Sequence, residues 1–373
     1  MNVIISAAGT GGHINPALVI ANKIKERYPD SNIVFIGTER GLENDLVPRA
    51  GYELKHIEAY GIQKKINLTN IINLIKTYRS KKDVKKIFDE VKPDLVVGTG
   101  GYICGPVFSV AIKRNIPTVL HESNAYPGRA VKMFAKKVDL ILVGFEKTKD
   151  YLIGAKNVIY TGTPTKVKKV SIPYFKRREI LEDIGVKNEL PVLLAYGGSQ
   201  GAQKINEALL DIALHESNKN FQIVWAAGPK QYDVIKQKLE EGGKDIDYLK
   251  DIAIVPYIYN MEELMNCSDL LLCRSGAMTI TEVSIVGKPA IFVPLPSRGA
   301  NRQVDNAKVL ERLGAAKIIL NNELTEERLL KEIESVIYDK EKLEEMGQAA
   351  TKIAPENVEE KIIVAIENML INR

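Results

Sequence analysis

The sequence predicts an α/β protein made of two doubly wound, Rossmann-like domains whose parallel sheets face a central cleft. Three observations carry that expectation. A strand, a glycine turn and a helix start occur together once near the beginning of each half. Short, continuously apolar strands alternate with helical patterns throughout, as in parallel sheets covered on both faces. The 373 residues are too many for one ordinary domain and comfortable for two.

The first glycine unit runs from a strand near Asn2–Ser6 through Gly9-Thr10-Gly11-Gly12-His13 to an amphipathic stretch beginning at Pro16. Further strands of the first half are expected near Asn32–Ile36, Leu54–Ile57, Leu95–Val97, Thr118–Leu120, Leu140–Val143 and Val158–Tyr160, with helical patterns such as Ala17–Tyr28 and Pro106–Arg114 between them. The second unit runs from Val192–Tyr196 through Gly197-Gly198-Ser199-Gln200-Gly201 to a stretch beginning at Ala202. Strands then follow near Gln222–Ala226, Ala253–Val255, Leu270–Cys273, Ala290–Val293 and Lys317–Leu320. The boundary is expected near 162–174, where a Pro-containing basic stretch follows the last strand of the first half. This divides the chain into 1–164 and 165–354. Val358, Ile362, Ala365, Ile366 and Met369 give the C-terminal tract an apolar helical face. That helix, within 355–373, could pack back on the first domain.

Composition narrows the classes. Hydrophobic content of 45% and charged content of 27% are those of a soluble globular protein, and no apolar run has the length of a membrane span. The N-terminus lacks the basic region and cleavage site of a signal peptide. Cys104, Cys267 and Cys273 lack metal-ligand spacing and read as buried, reduced thiols of a cytosolic protein. Charge is uneven: residues 1–165 hold 24 basic and 15 acidic side chains, and the remainder 28 and 32. The basic half lacks the clustered aromatics of a single-strand binder and any reading helix, so no nucleic-acid partner is expected. An anionic membrane surface suits it better.

The segment 68–91 sharpens that point. Leu68, Ile71, Ile72, Ile75 and Tyr78 form one helical stripe, and Val84, Ile87, Phe88 and Val91 form another on about the opposite side. A straight helix cannot bury both. Either the chain bends near Arg79-Ser80-Lys81-Lys82, or one stripe serves another surface. Leu68, Ile71, Ile72, Leu74 and Ile75, flanked by Lys64, Lys65 and Arg79, form the candidate membrane-facing set.

The motifs point to an anionic ligand. Gly9–His13 is no dinucleotide fingerprint, because Ile14 stands where the third glycine would fall, and no GK[ST] marks a Walker loop. What remains is a glycine turn opening a helix, with free N–H groups for a phosphate. His13 is placed to be a general base or to orient an acceptor; the plainer alternative is a helix-start histidine bonded to nearby backbone. Gly197–Gly201 spells the G-x-S-x-G nucleophile elbow. The only histidine downstream is His215, late in the same helix, so a triad is not expected and Ser199 reads as a phosphate ligand. Arg274–Glu282 is a third turn leading into a helix. Glu282 suits the two hydroxyls of a ribose, or alternatively a helix dipole. Asp245-Ile246-Asp247 reads as surface charge, and no metal site is expected.

Together these pieces resemble the MurG family of bacterial glycosyltransferases, enzymes of peptidoglycan synthesis with the two-domain GT-B fold. The resemblance rests on Gly9–His13, Gly100-Gly101-Tyr102 with Gly105-Pro106, His121-Glu122-Ser123-Asn124, Gly197–Ala202, Arg274–Glu282, and Gln303 with Asn306-Ala307. Any one motif is weak, and the ordered set is specific. It implies inverting transfer of N-acetylglucosamine from UDP-GlcNAc to the muramic acid 4-hydroxyl of undecaprenyl-pyrophosphoryl-MurNAc-pentapeptide, giving lipid II. The enzyme would be peripheral, at the cytoplasmic face of the membrane, and would use no cofactor.

By motif, Ser199, Ile258, Ala277, Met278, Thr279, Ile280, Thr281, Glu282 and Gln303 would hold the UDP-sugar from the second domain. Thr10, Gly11, Gly12 and Asn124 would contact it from the first, with His13 as candidate base. Two positions depart from the family pattern. Lys166 stands where arginine is common, keeping the charge but losing the bidentate fork, and Arg302 stands where histidine or glutamine is usual. Two rivals remain: a UDP-GlcNAc 2-epimerase of the same fold, and a non-catalytic nucleotide-sugar-binding protein.

Overall fold

A computed structural model describes residues 1–61, 68–186, 189–198, 201–296 and 302–373. The chain forms two compact units. Unit 1 comprises Met1–Thr165 and Pro355–Arg373, and unit 2 comprises Lys166–Ala354. The C-terminal helix Val358–Ile371 thus belongs to unit 1, where Ile362, Ile363, Ala365, Ile366 and Met369 join the core beneath the helix Gly11–Arg27.

Unit 1 holds seven parallel strands: β1 (Asn2–Ser6), β2 (Asn32–Gly37), β3 (Glu53–His56), β4 (Leu95–Gly98), β5 (Thr118–Glu122), β6 (Leu140–Val143) and β7 (Val158–Tyr160). Their order is β3-β2-β1-β4-β5-β6-β7. Alternation of side chains across the sheet explains its two cores. Val3 and Ile5 face one helical layer, whereas Ile4 faces the other, and none of the three is exposed. Each such side chain contributes about 1.5–3 kcal/mol by leaving water.

Unit 2 holds six parallel strands: β8 (Val192–Tyr196), β9 (Gln222–Ala226), β10 (Ile252–Val255), β11 (Leu270–Cys273), β12 (Ala290–Phe292) and β13 (Ala316–Ile318). Their order is β10-β9-β8-β11-β12-β13. Both sheets reverse direction of growth beside the strand that leads into a glycine turn: between β1 and β4, and between β8 and β11. Such switch points open a crevice beyond the strand C-termini where ligands bind.

One expectation is corrected, and one open alternative is resolved. The first helix begins at Gly11, not Pro16, so Gly11, Gly12 and His13 already form its first turn; Pro16 lies inside it. The 68–91 segment breaks into two helices, Leu68–Arg79 and Lys81–Val91, joined at buried Ser80. The Ser80 hydroxyl donates to the Thr77 carbonyl at 2.8 Å, an alternative bond that competes with helix continuation. The chain takes the bend that the sequence left open, and the second stripe is the buried one. Ile71, Ile72, Leu74 and Ile75 remain 44–47% exposed.

Candidate functional site

In unit 1 the turns after β1 and β4 meet at the switch point. Thr10, extended at φ −123°, caps the helix Gly11–Arg27 with no side-chain bond of its own, and no acidic residue occupies the first turn. The His13 and Ile14 N–H groups both bond the Thr10 carbonyl, so those of Gly11 and Gly12 precede the first bonded turn. They are placed to donate to an anion, favoured by the helix dipole. His13, half-buried, donates from Nδ1 to the Thr99 carbonyl at 2.8 Å. Its partner is therefore backbone, but from a strand end 86 residues away, not local chain.

Two buried carboxylates shape the turns around it. Glu43, wholly buried, accepts the Gly9 N–H through Oε2 at 2.9 Å, and the N–H and hydroxyl of Thr38 through Oε1, each at 2.9 Å. Glu122, at the end of β5, accepts the main-chain N–H of Asn124 at 2.9 Å, its side-chain amide at 2.8 Å, and the Gly128 N–H at 2.5 Å. Asn124 is thereby oriented by its own loop. Glu122 lies inside a motif quoted from the sequence. Glu43 had no local signal, because its partners become neighbours only on folding. His121 is fully buried, and burial pushes its imidazole down to about 4.

In unit 2 the turns after β8 and β11 adjoin. Ser199 lies outside the described residues. Around it, Gly201 adopts φ +73°, and a Cβ there would lie 2.5 Å from the Ala227 carbonyl oxygen, so the turn demands glycine. The helix Ala277–Val286 starts at extended Gly276 with no side-chain cap and no acid in its first turn. The first helical bond runs from the Ile280 N–H to the Gly276 carbonyl, leaving the N–H groups of Ala277, Met278 and Thr279 ahead of it.

Glu282 is half-buried in the second turn, beyond the reach of the N-terminal dipole, which weakens the dipole alternative. Ile280 and Thr281 are buried and pack the helix onto the domain. Ser275 Oγ donates to the Gln303 carbonyl at 2.8 Å, and Gln303 Oε1 accepts the Leu295 N–H at 2.8 Å. The β11 turn, the segment after β12 and the start of the helix Arg302–Glu311 are laced together, and the Gln303 Nε2 donors stay uncommitted among the described contacts.

Arg274 does not face an open site. It bonds the Val293 carbonyl and Asn321 Oδ1, and burial pulls its guanidinium below the ordinary arginine range. Ile258 is buried between exposed Tyr257 and Tyr259, whose rings pack edge-on with centroids 4.9 Å apart. Lys166 is exposed, and Arg302 is half-buried, its Nε without a partner among the described residues.

Other motifs resolve simply. His215 bonds Glu326 Oε2 at 2.7 Å, at the far end of the helix Gln203–His215. That pairing commits it away from the β8 turn. Asp245 accepts the Asp247 N–H at 3.0 Å and so caps a short 3₁₀ turn. Among the described residues, no group of three or more His, Cys, Asp or Glu side chains is arranged to hold a metal ion. Cys104 and Cys273 are pushed by burial to about 11 and about 12, so neither is a thiolate at neutral pH.

Comparison with known proteins places the chain. The patterns of the glycosyltransferase family 28 N-terminal and C-terminal domains match residues 3–143 and 192–362. The chain is 38% identical to the UDP-N-acetylglucosamine–N-acetylmuramyl-(pentapeptide) pyrophosphoryl-undecaprenol N-acetylglucosamine transferase of Acetivibrio thermocellus, covering 100% of this chain and 99% of that one. The chain belongs to the MurG family. A transferase of the same name from Ruminiclostridium cellulolyticum is 38% identical over 99% of this chain and 100% of its own.

Among solved structures, Acinetobacter baumannii MurG matches with a TM-score of 0.72 at 26% identity, covering 98% of this chain and 99% of that one. A putative UDP-N-acetylglucosamine 2-epimerase from Listeria monocytogenes reaches 0.70 at 15% identity, covering 100% and 97%. That likeness shows the shared fold alone. Fold does not separate MurG enzymes from epimerases; full-length sequence identity does.

Proposed function

We propose that this chain is the N-acetylglucosamine transferase that makes lipid II, moving GlcNAc from UDP-GlcNAc to the MurNAc 4-hydroxyl of undecaprenyl-pyrophosphoryl-MurNAc-pentapeptide with inversion. The observation that carries the proposal is full-length likeness to transferases of that name, with glycine turns at both switch points. In this reading unit 2 is the donor domain. Ala277, Met278 and Thr279 offer N–H groups to the diphosphate, Glu282 takes the ribose hydroxyls, and Ile258, Gln303 and Ser199 complete the grip. Lys166 adds a charge.

Unit 1 is the acceptor domain. Gly11 and Gly12 N–H groups, with Thr10 and Asn124, hold polar groups of the substrates. His13 Nε2 takes the proton of the attacking hydroxyl. The bond from the anomeric carbon to the UDP oxygen breaks, and preorganised N–H donors stabilise the charge on departing UDP.

The exposed helix Leu68–Arg79 is the membrane-facing element of this reading. Ile71, Ile72, Leu74 and Ile75 enter the headgroup boundary, while Arg79 and the lysines around the helix meet anionic lipid. Leu68 belongs to the same stripe, though its side chain, like Lys64 and Lys65, lies outside the described residues. No described helix is long and apolar enough to cross a membrane. In this reading the enzyme works from the cytoplasmic face.

The test is UDP release from UDP-GlcNAc with and without a short-chain analogue of the lipid acceptor. Acceptor-dependent release with a disaccharide product is expected. Formation of UDP-ManNAc from UDP-GlcNAc alone would instead make the chain an epimerase.

A further inference from the structure

We infer that the turn Thr99-Gly100-Gly101, following β4, is the positioning device for His13: it sets the imidazole tautomer and ring plane so that Nε2 meets the acceptor hydroxyl unprotonated. The inference rests on the reading of His13 as proton acceptor.

A carbonyl oxygen can only accept, so the 2.8 Å contact between His13 Nδ1 and the Thr99 carbonyl requires a proton on Nδ1. In the neutral ring the lone pair then sits on Nε2. The same residue also holds the main chain of His13, since Thr99 Oγ1 donates to the His13 carbonyl at 2.7 Å. Thr99 is 2% exposed, so water scarcely competes for either bond.

The ring lies along the next two glycines. A Cβ on Gly100 would stand 3.2 Å from Cε1 and 3.3 Å from Nδ1, and a Cβ on Gly101 3.4 Å from Cδ2 and 3.7 Å from Nε2. Both glycines have positive φ, +91° and +81°, a region that side chains rarely adopt. A side chain at either position would press on the imidazole, so the glycine pair leaves the ring its place.

The seat itself is tied to β1, the strand that leads to His13. Ser6 Oγ donates to Cys104 Sγ at 3.3 Å, Cys104 donates to the Gly100 carbonyl at 3.1 Å, and the Thr99 N–H bonds the Ser6 carbonyl at 3.3 Å. When the acceptor O–H bond breaks, its proton goes to Nε2 and the ring becomes an imidazolium. The Nδ1–H bond to Thr99 then becomes charge-assisted and strengthens as the transition state forms.

The experiment uses the full-length 15N-labelled protein without substrate. Two-bond proton–nitrogen spectra report the tautomer of each histidine, and with four histidines in the chain, comparison with His13→Ala assigns the signal. Neutral His13 is expected as the Nδ1–H form. Gly100→Ala should give mixed tautomers and lower kcat at least tenfold, with KM for UDP-GlcNAc unchanged. Thr99→Val should act in the same direction, and Thr99→Ser should recover most of that loss. An Nε2–H tautomer in the wild-type protein, or an unchanged signal in both Gly100→Ala and Thr99→Val, would overturn the inference. Undiminished turnover in His13→Ala would overturn the proton-acceptor reading instead, a result separate from the tautomer.

Discussion

The two units share one plan and differ in what the plan carries. Each places a strand, a glycine turn and a helix start at the switch point of a parallel sheet. At that point unit 1 places a histidine and Glu43, which is spent on the Gly9 N–H; Glu122, at the end of neighbouring β5, is likewise spent on backbone N–H groups. Unit 2 gathers helix N–H groups, an amide and Glu282, and no histidine. With the C-terminal helix counted, unit 1 holds 26 basic and 19 acidic residues and unit 2 holds 26 and 28. Among the helices named here, only unit 1 leaves a row of aliphatic side chains in water. Under the proposed function, one fold supports two chemistries: proton transfer and lipid approach in unit 1, anion holding in unit 2. The difference lies in a handful of grafted residues.

The sharpest way to break this comparison is His13→Ala. Turnover should fall about 10²–10⁴-fold, the scale of a lost general base, while UDP-GlcNAc affinity measured by calorimetry stays unchanged. A matched loss of donor affinity would put unit 1 and unit 2 in the same role.

Acid should divide the units next. His121 is held near 4 in the folded state against an unfolded value near 6.5, so unfolded chains bind the extra proton first. Its stabilisation is fully present above pH 6.5 and is lost as pH falls toward 4, on the order of 3 kcal/mol. Hydrogen exchange resolved by residue should show the β5–β6 region of unit 1 weakening over that window. His121→Asn should flatten the dependence.

Gly201→Ala tests the other side. Its Cβ would press on the Ala227 carbonyl at positive φ, a cost of about 1–3 kcal/mol carried by the β8 turn. Donor Kd should rise roughly five- to a hundredfold, whereas the His13 tautomer in unit 1 should be unaffected. The smallest effect is expected for Leu74→Asp. Each partly exposed aliphatic that enters lipid contributes about 1 kcal/mol. Binding to anionic liposomes should therefore weaken several-fold to tenfold, with turnover on a soluble acceptor analogue preserved. Intact liposome binding in both Leu74→Asp and Ile75→Asp would remove the helix Leu68–Arg79 from the membrane role.

The sheets were legible because their strands are buried on both faces. Val192–Tyr196 and Leu140–Val143 read as uninterrupted apolar runs, and their observed limits coincide with the expected ones. The strand end at Leu320 slipped, with β13 ending at Ile318, because the chain leaves its pairing partner β12 before the apolar run stops. The helix start at Gly11 was hidden for another reason. Two glycines and a histidine have poor helix propensity, and tertiary contacts with the β4 turn override it.

The sequence by itself determined the strand-and-helix alternation, the two glycine turns and the apolar stripes, because each is written in neighbouring residues at a fixed period. Tertiary structure alone decided that Glu43 would hold Gly9, that Ile71, Ile72, Leu74 and Ile75 would stay exposed, and that Thr99 would grip His13. Those contacts join residues 34 to 86 positions apart, or depend on which faces the sheet covers. Geometry at that range follows from strand order, and strand order exists only once the sheet has formed.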